Sequence, residues 1–119
     1  MRDARKDLRW RTKQFALRVI FVSSSLPDDP ESVVMRKQVI RCGTSVGAQY
    51  REVCRARSTA EFISKMHGAL QELDETTYWF ELLVESGRLP ADRLADLMRE
   101  GEELISIFVA SIKTAGGEG

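Results

Sequence analysis

The sequence predicts an all-α chain, an antiparallel up-down-up-down four-helix bundle, on three observations. Punctuation is sparse, with all three prolines and half of the eight glycines falling where a helix would begin or end. Apolar residues recur at helical spacing through long segments. No segment alternates with period two for long enough to argue a strand. Helices are expected near residues 3–25, 31–56, 59–86 and 91–114, each roughly 35–40 Å long at 1.5 Å per residue. Three short connections imply antiparallel neighbours. With 119 residues there is room for one domain, the bundle over residues 1–115, followed by a flexible tail at 116–119.

The first helix repeats Leu8, Phe15, Val19, Val22 and Leu26 on one line. Leu26-Pro27-Asp28-Asp29-Pro30 then turns the chain, Asp29 serving as a cap and Pro30 as the first helical residue. The second helix packs through Met35, Val39, Ile40, Cys42, Val46, Tyr50 and Val53. Gly43 and Gly47 fall on its packed side, where a missing side chain lets another helix approach. Ser58-Thr59-Ala60-Glu61 matches a capping box and opens the third helix. Its stripe reads Phe62, Met66, Leu70 (or Leu73), Thr77, Phe80 and Val84, and Ser86-Gly87 stops it. Pro90 and Asp92 start the fourth helix, which offers Leu94, Leu97, Met98, Gly101, Leu104, Ile105, Phe108 and Ile112.

Two helices carry more apolar surface than a monomeric bundle needs. Trp10, Leu17 and Phe21 lie on the far side of the first helix from Phe15 and Val19. Trp79, Leu82 and Leu83 fall outside the stripe of the third. Either a thick core wraps these side chains or another chain covers them. Self-association through Trp10, Leu17, Phe21 and Trp79 is the expectation.

Composition narrows the function classes. At 43% hydrophobic and 30% charged residues the chain has a globular balance, and no apolar run approaches the roughly 20 residues needed to span a bilayer. The first residues lack a signal peptide's apolar stretch, and Cys42 and Cys54 are too few for a disulfide scaffold. A reduced, cytoplasmic setting is expected.

The net charge of zero hides an asymmetry, +7 over residues 1–57 and −7 over residues 58–119. Much of the positive charge lies along the second helix, where Lys37, Arg41, Thr44, Ala48, Arg51 and Arg55 fall within roughly 40° of one line. Small residues between cations let a phosphate backbone approach, so Lys37, Arg41, Arg51 and Arg55 are the candidate RNA contacts. Arg11, Lys13 and Arg18 of the first helix are weaker candidates. The alternative is a solvated face, or one paired with Glu72, Glu75 and Glu81 of a neighbouring helix.

No catalytic or metal constellation emerges. Di-iron bundles need Glu-x-x-His on two helices, whereas the single histidine, His67, has Ser64 three positions earlier. Cys42, Cys54 and His67 are too scattered for zinc, and the two cysteines, roughly 18 Å apart along one helix, cannot bridge. The ribonucleases of the HEPN group pair an Arg with a His four to six residues later; Arg57 and His67 are too far apart for that. No catalytic residues, no metal and no cofactor are expected.

Three segments resemble one known family in matching order. They are Ile40-Arg41-Cys42-Gly43-Thr44-Ser45-Val46-Gly47-Ala48-Gln49-Tyr50-Arg51-Glu52, then Arg57-Ser58-Thr59-Ala60-Glu61-Phe62-Ile63-Ser64-Lys65-Met66, then Glu72-Leu73-Asp74-Glu75-Thr76-Thr77-Tyr78-Trp79-Phe80-Glu81-Leu82-Leu83. The family is that of the bacterial four-helix-bundle proteins first noted in intervening sequences of 23S ribosomal RNA genes. The resemblance runs from about Leu8 to Ile112, with Gln49 where the family usually has Asn and Phe21-Val22 in place of a more polar pair. It implies a cytosolic bundle assembling as a ring-like homopentamer, similar in fold to the accessory proteins of diversity-generating retroelements, which bind RNA and a reverse transcriptase. The combined expectation is a non-enzymatic homo-oligomer that binds structured RNA. A protein-interaction scaffold or accessory subunit for a partner enzyme such as a reverse transcriptase is the alternative.

Overall fold

A computed structural model describes residues 4–117. Its four helices are α1 (Ala4–Ser23), α2 (Pro30–Cys54), α3 (Thr59–Glu85) and α4 (Ala91–Ala115), and there is no strand among the described residues. The predicted elements are all present, with ends shifted by no more than two residues where they can be compared. Residues 1–3, 118 and 119, which include the predicted start of the first helix and part of the tail, lie outside the described residues.

Local chemistry sets the helix ends. The Asp29 side chain accepts from the Ser32 backbone N–H at 3.2 Å and from the Ser32 hydroxyl at 2.6 Å, capping α2. Arg88, in the α3–α4 connection, donates to the same Asp29 at 3.1 Å and to Ser32 Oγ at 2.8 Å. The Ser32 bonds, then Arg88, hold the Asp29 carboxyl below the usual carboxylate range. Ser58 caps α3 by accepting from Glu61 N–H at 3.0 Å, but the Glu61 carboxylate lies 3.6 Å from Arg57. The capping box is therefore half used. Gly87, at φ +77°, ends α3 as its sequence position predicts.

The helices pack in sequence order, α1 on α2, α2 on α3 and α3 on α4, with a slighter contact between α1 and α4. Phe15, Val19, Val39, Val46, Met66, Leu73, Phe80, Leu94, Leu104 and Phe108 are fully buried between them. Phe15 meets Phe80 with ring centroids 6.1 Å apart, and Tyr50 stacks on Phe108 at 5.9 Å. The stripes predicted for α1 and α2 are the buried ones, with Ile40 partly buried. Gly43 sits where a Cβ would come within 2.9 Å of Val19, so the α1–α2 approach requires its glycine.

In α3 the predicted stripe is rotated. The residues buried there are Met66, Ala69, Leu73, Thr76, Phe80 and Leu83. Phe62, Leu70 and Val84 pack at the edge, and Thr77 is also only partly buried. Leu83, expected outside, is fully covered. This helix is embraced by both α2 and α4, so its buried arc is wider than one line.

Candidate nucleic-acid interface

The cations of α2 fall into three environments. Arg41 is committed to α3: it forms ion pairs with Glu75 and, at 3.4 Å, with Glu72, and its Nε donates to Gln38 at 3.1 Å. It is therefore no free phosphate contact: α3 places two carboxylates opposite it, so for Arg41 the alternative of pairing with Glu72 and Glu75 holds and the expected RNA contact does not. Lys37 is exposed and forms no ion pair among the described residues, but it lies more than three turns from Arg51. Arg51 and Arg55 are exposed on the wall of an open groove between α1 and α2.

That groove, of about 440 Å³, is where charge and shape coincide. Arg9 and Lys13 line it from α1, Arg51 and Arg55 from α2. None of these four forms an ion pair among the described residues. Between them lie Thr12, Ala16, Thr44, Gly47 and Ala48, whose small side chains leave the groove its depth. A Cβ on Gly47 would stand 3.2 Å from Thr12 Oγ1, so the helices nearly touch at the groove floor. The hydroxyls there face inward to their own helices, Thr12 donating to Leu8 O at 2.8 Å and Thr44 to Ile40 O at 2.7 Å. Glu52 also lines the groove, and it bonds Lys65 of α3 at 2.9 Å. That bond makes the Lys65 ammonium harder to deprotonate.

Arg9 escaped the sequence reading although its signal was present. Arg9, Thr12, Lys13 and Ala16 repeat on α1 the cation-and-small-residue spacing of Thr44, Gly47, Ala48, Arg51 and Arg55 on α2. Lys13 is brought to the site as the sequence suggested. Arg11 is not: it is bound by Glu100 at 2.7 and 3.0 Å and by Glu103 at 3.0 Å, which tightens its hold on its proton. Arg18 lines a separate cleft between α1 and α4, with Leu17, Phe21, Val22, Arg93, Asp96 and Leu97.

The expected interface residues also divide. Trp10, Leu17 and Phe21 are 61%, 51% and 72% exposed on α1, joined by Ile20. Trp79 does not belong with them. It packs half-buried against the core, and its indole N–H donates to Glu75 at 3.2 Å, the carboxylate that Arg41 also uses. No group of three or more His, Cys, Asp or Glu side chains that could hold a metal occurs among the described residues. Cys42 is buried, which pushes its thiol up from the usual range. No helix among those residues is long and apolar enough to cross a membrane.

One protein-family model, described as 23S rRNA-intervening sequence protein, matches residues 7–110. The chain belongs to that family. The match takes in both walls of the basic groove and all but the ends of the bundle. A crystal structure from the S23 ribosomal protein family, of a Bacteroides thetaiotaomicron protein with unknown function, is similar to it at 33% identity and a TM-score of 0.82. The similarity covers 88% of this chain and 97% of the other. No curated protein matches this family member.

Proposed function

We propose that this protein is a non-enzymatic, self-associating bundle that binds structured RNA electrostatically through the α1–α2 groove. The observation carrying this reading is the groove itself: four cations on two helices flank a floor of small residues, with no carboxylate partner among the described residues. Such a surface attracts a polyanion, and phosphate contacts of this kind position a ligand without reading its sequence. The groove supplies charge, while its two threonine hydroxyls are spent on helix carbonyls. Lys37 would extend the field along α2.

The short connections support an antiparallel, up-down-up-down order of helices. Assembly as a homopentameric ring, in the cytoplasm, completes the proposal. The exposed residues Leu17, Ile20 and Phe21, with Trp10 farther along α1, are the surface that assembly would cover. Repetition around a ring would multiply the field of each groove. A second reading, a scaffold for a partner enzyme such as a reverse transcriptase, is favoured by Arg11 and Arg41, whose charge is consumed within the chain.

Crosslinking in cells followed by sequencing of the bound RNA tests the proposal. The wild type should recover a defined set of structured RNAs, and Arg51→Glu/Arg55→Glu should lose them. Equal recovery by both proteins would overturn it.

A further inference from the structure

Resting on the groove's role as an RNA site, we infer that Lys65 of α3 is a positioning residue for it. The Lys65 ammonium holds the Glu52 carboxylate away from Arg51 and Arg55, and so keeps those cations open to phosphate. Three observations converge. First, Glu52 is the one acidic side chain among the described residues that line the groove, beside Arg9, Lys13, Arg51 and Arg55. A carboxylate there competes with the ligand, since each cation it neutralises is one fewer counterion released on binding. Arg55 is the cation within its reach: three residues on, it neighbours Glu52 on the helix surface.

Second, Glu52 is paired elsewhere. Its Oε1 accepts from Lys65 Nζ at 2.9 Å, and no ion pair joins it to Arg51 or Arg55 among the described residues. The two side chains are 54% and 43% exposed, so core packing does not fix Glu52 and the bond to Lys65 sets its direction. Third, this edge of α2 is sorted by sign against α3. Arg41 and Glu52 stand eleven residues apart, within roughly 20° of one line. The third helix answers Arg41 with Glu72 and Glu75, and Glu52 with Lys65. Glu61, one turn before Lys65, is the other acid acting on that ammonium, and it lies 3.6 Å from Arg57. Lys65 is thereby left to Glu52, and the one negative charge at the groove is spent on the seam behind it.

A double-mutant cycle tests this, read by filter binding of an RNA stem-loop at ~0.1 M salt. Lys65→Gln should weaken binding about fivefold, the loss of roughly one phosphate contact at that salt. The slope of log affinity against log salt should become shallower by about 0.7–0.9. Lys65→Arg, which keeps the charge, should bind as the wild type does. In a Glu52→Gln background there is no carboxylate to hold, and Lys65→Gln should change affinity by less than about twofold. An equal loss in both backgrounds overturns the inference, because Lys65 would then act through its own charge. Wild-type affinity in Lys65→Gln, or a loss in Lys65→Arg as large as in Lys65→Gln, overturns it too. The RNA proposal survives each of these results if Arg51→Glu/Arg55→Glu abolishes binding. Failure of the wild type to bind the stem-loop overturns both. Sedimentation of Lys65→Gln guards the positioning role, which is overturned if affinity falls only because the assembly dissociates.

Discussion

Arg41 and Arg51 lie near one line of α2, yet the protein treats them differently. Arg41 faces α3, which supplies Glu72 and Glu75, and its charge is consumed in pairs between helices. Arg51 faces α1, which supplies Arg9 and Lys13, so the charge there accumulates. The contrast teaches that a helix's periodicity locates a charged stripe, while the sign carried by the neighbouring helix decides whether the stripe binds anything. Where basic meets acidic the seam is structural; where basic meets basic it becomes a site.

Substitutions can break or sharpen this contrast. The largest effect belongs to the groove. Arg51→Glu/Arg55→Glu should reduce RNA affinity on the order of 100-fold at moderate salt, measured by filter binding. Arg41→Gln should change it by no more than about threefold, because that charge is already neutralised by its neighbours. An equal loss from both would erase the distinction between the seams.

A smaller effect concerns how the walls are held. Gly43→Ala should destabilise the fold by roughly 1–2 kcal/mol in urea unfolding, since the new methyl meets the stiff, β-branched Val19. The better helix propensity of alanine offsets this by only up to about 1 kcal/mol. Stabilisation by Gly43→Ala would show that the helices separate without strain.

The smallest effect lies at the bundle end, at the Asp29 cap. Asp29→Ala should lower stability at neutral pH, since the α2 cap and its bonds to Ser32 and Arg88 are lost. The Asp29 pKa is lowered in the folded protein, so its contribution is present above the ordinary carboxylate pKa of about 4 and lost as pH falls through the folded value. The stability gap between wild type and Asp29→Ala should therefore narrow as the pH of urea unfolding is lowered from 7 toward 2. A gap that widens in acid would contradict the bonds from Ser32 and Arg88.

Much of the fold is legible in the sequence because its signals are local. Asp29-Pro30 and Ser86-Gly87 place helix ends by backbone chemistry, and the Phe15–Val19 line needs only helical spacing to be recognised as core. The α3 register is less legible, since Leu83 and Trp79 differ in burial through how α2 and α4 embrace the helix. The site is legible by halves. Arg51 and Arg55 stand out on α2, while the matching spacing of Arg9 and Lys13 on α1 becomes a second wall only when α1 is laid against Thr44, Gly47 and Ala48. The fate of Arg11 depends on Glu100, at a sequence distance no periodicity connects, whereas Glu72 and Glu75 are foreseeable partners for the α2 stripe, and only packing decides that Arg41 is the cation that meets them.

The most direct test of an uncompensated anion groove is the salt dependence of RNA binding, compared between wild type and Arg51→Gln/Arg55→Gln. If both guanidinium groups contact phosphates, the slope of log affinity against log salt should become shallower by about 1.4–1.8 in the variant, from roughly 0.7–0.9 per contact. An identical slope in the two proteins, or wild-type binding indifferent to salt, would contradict the account.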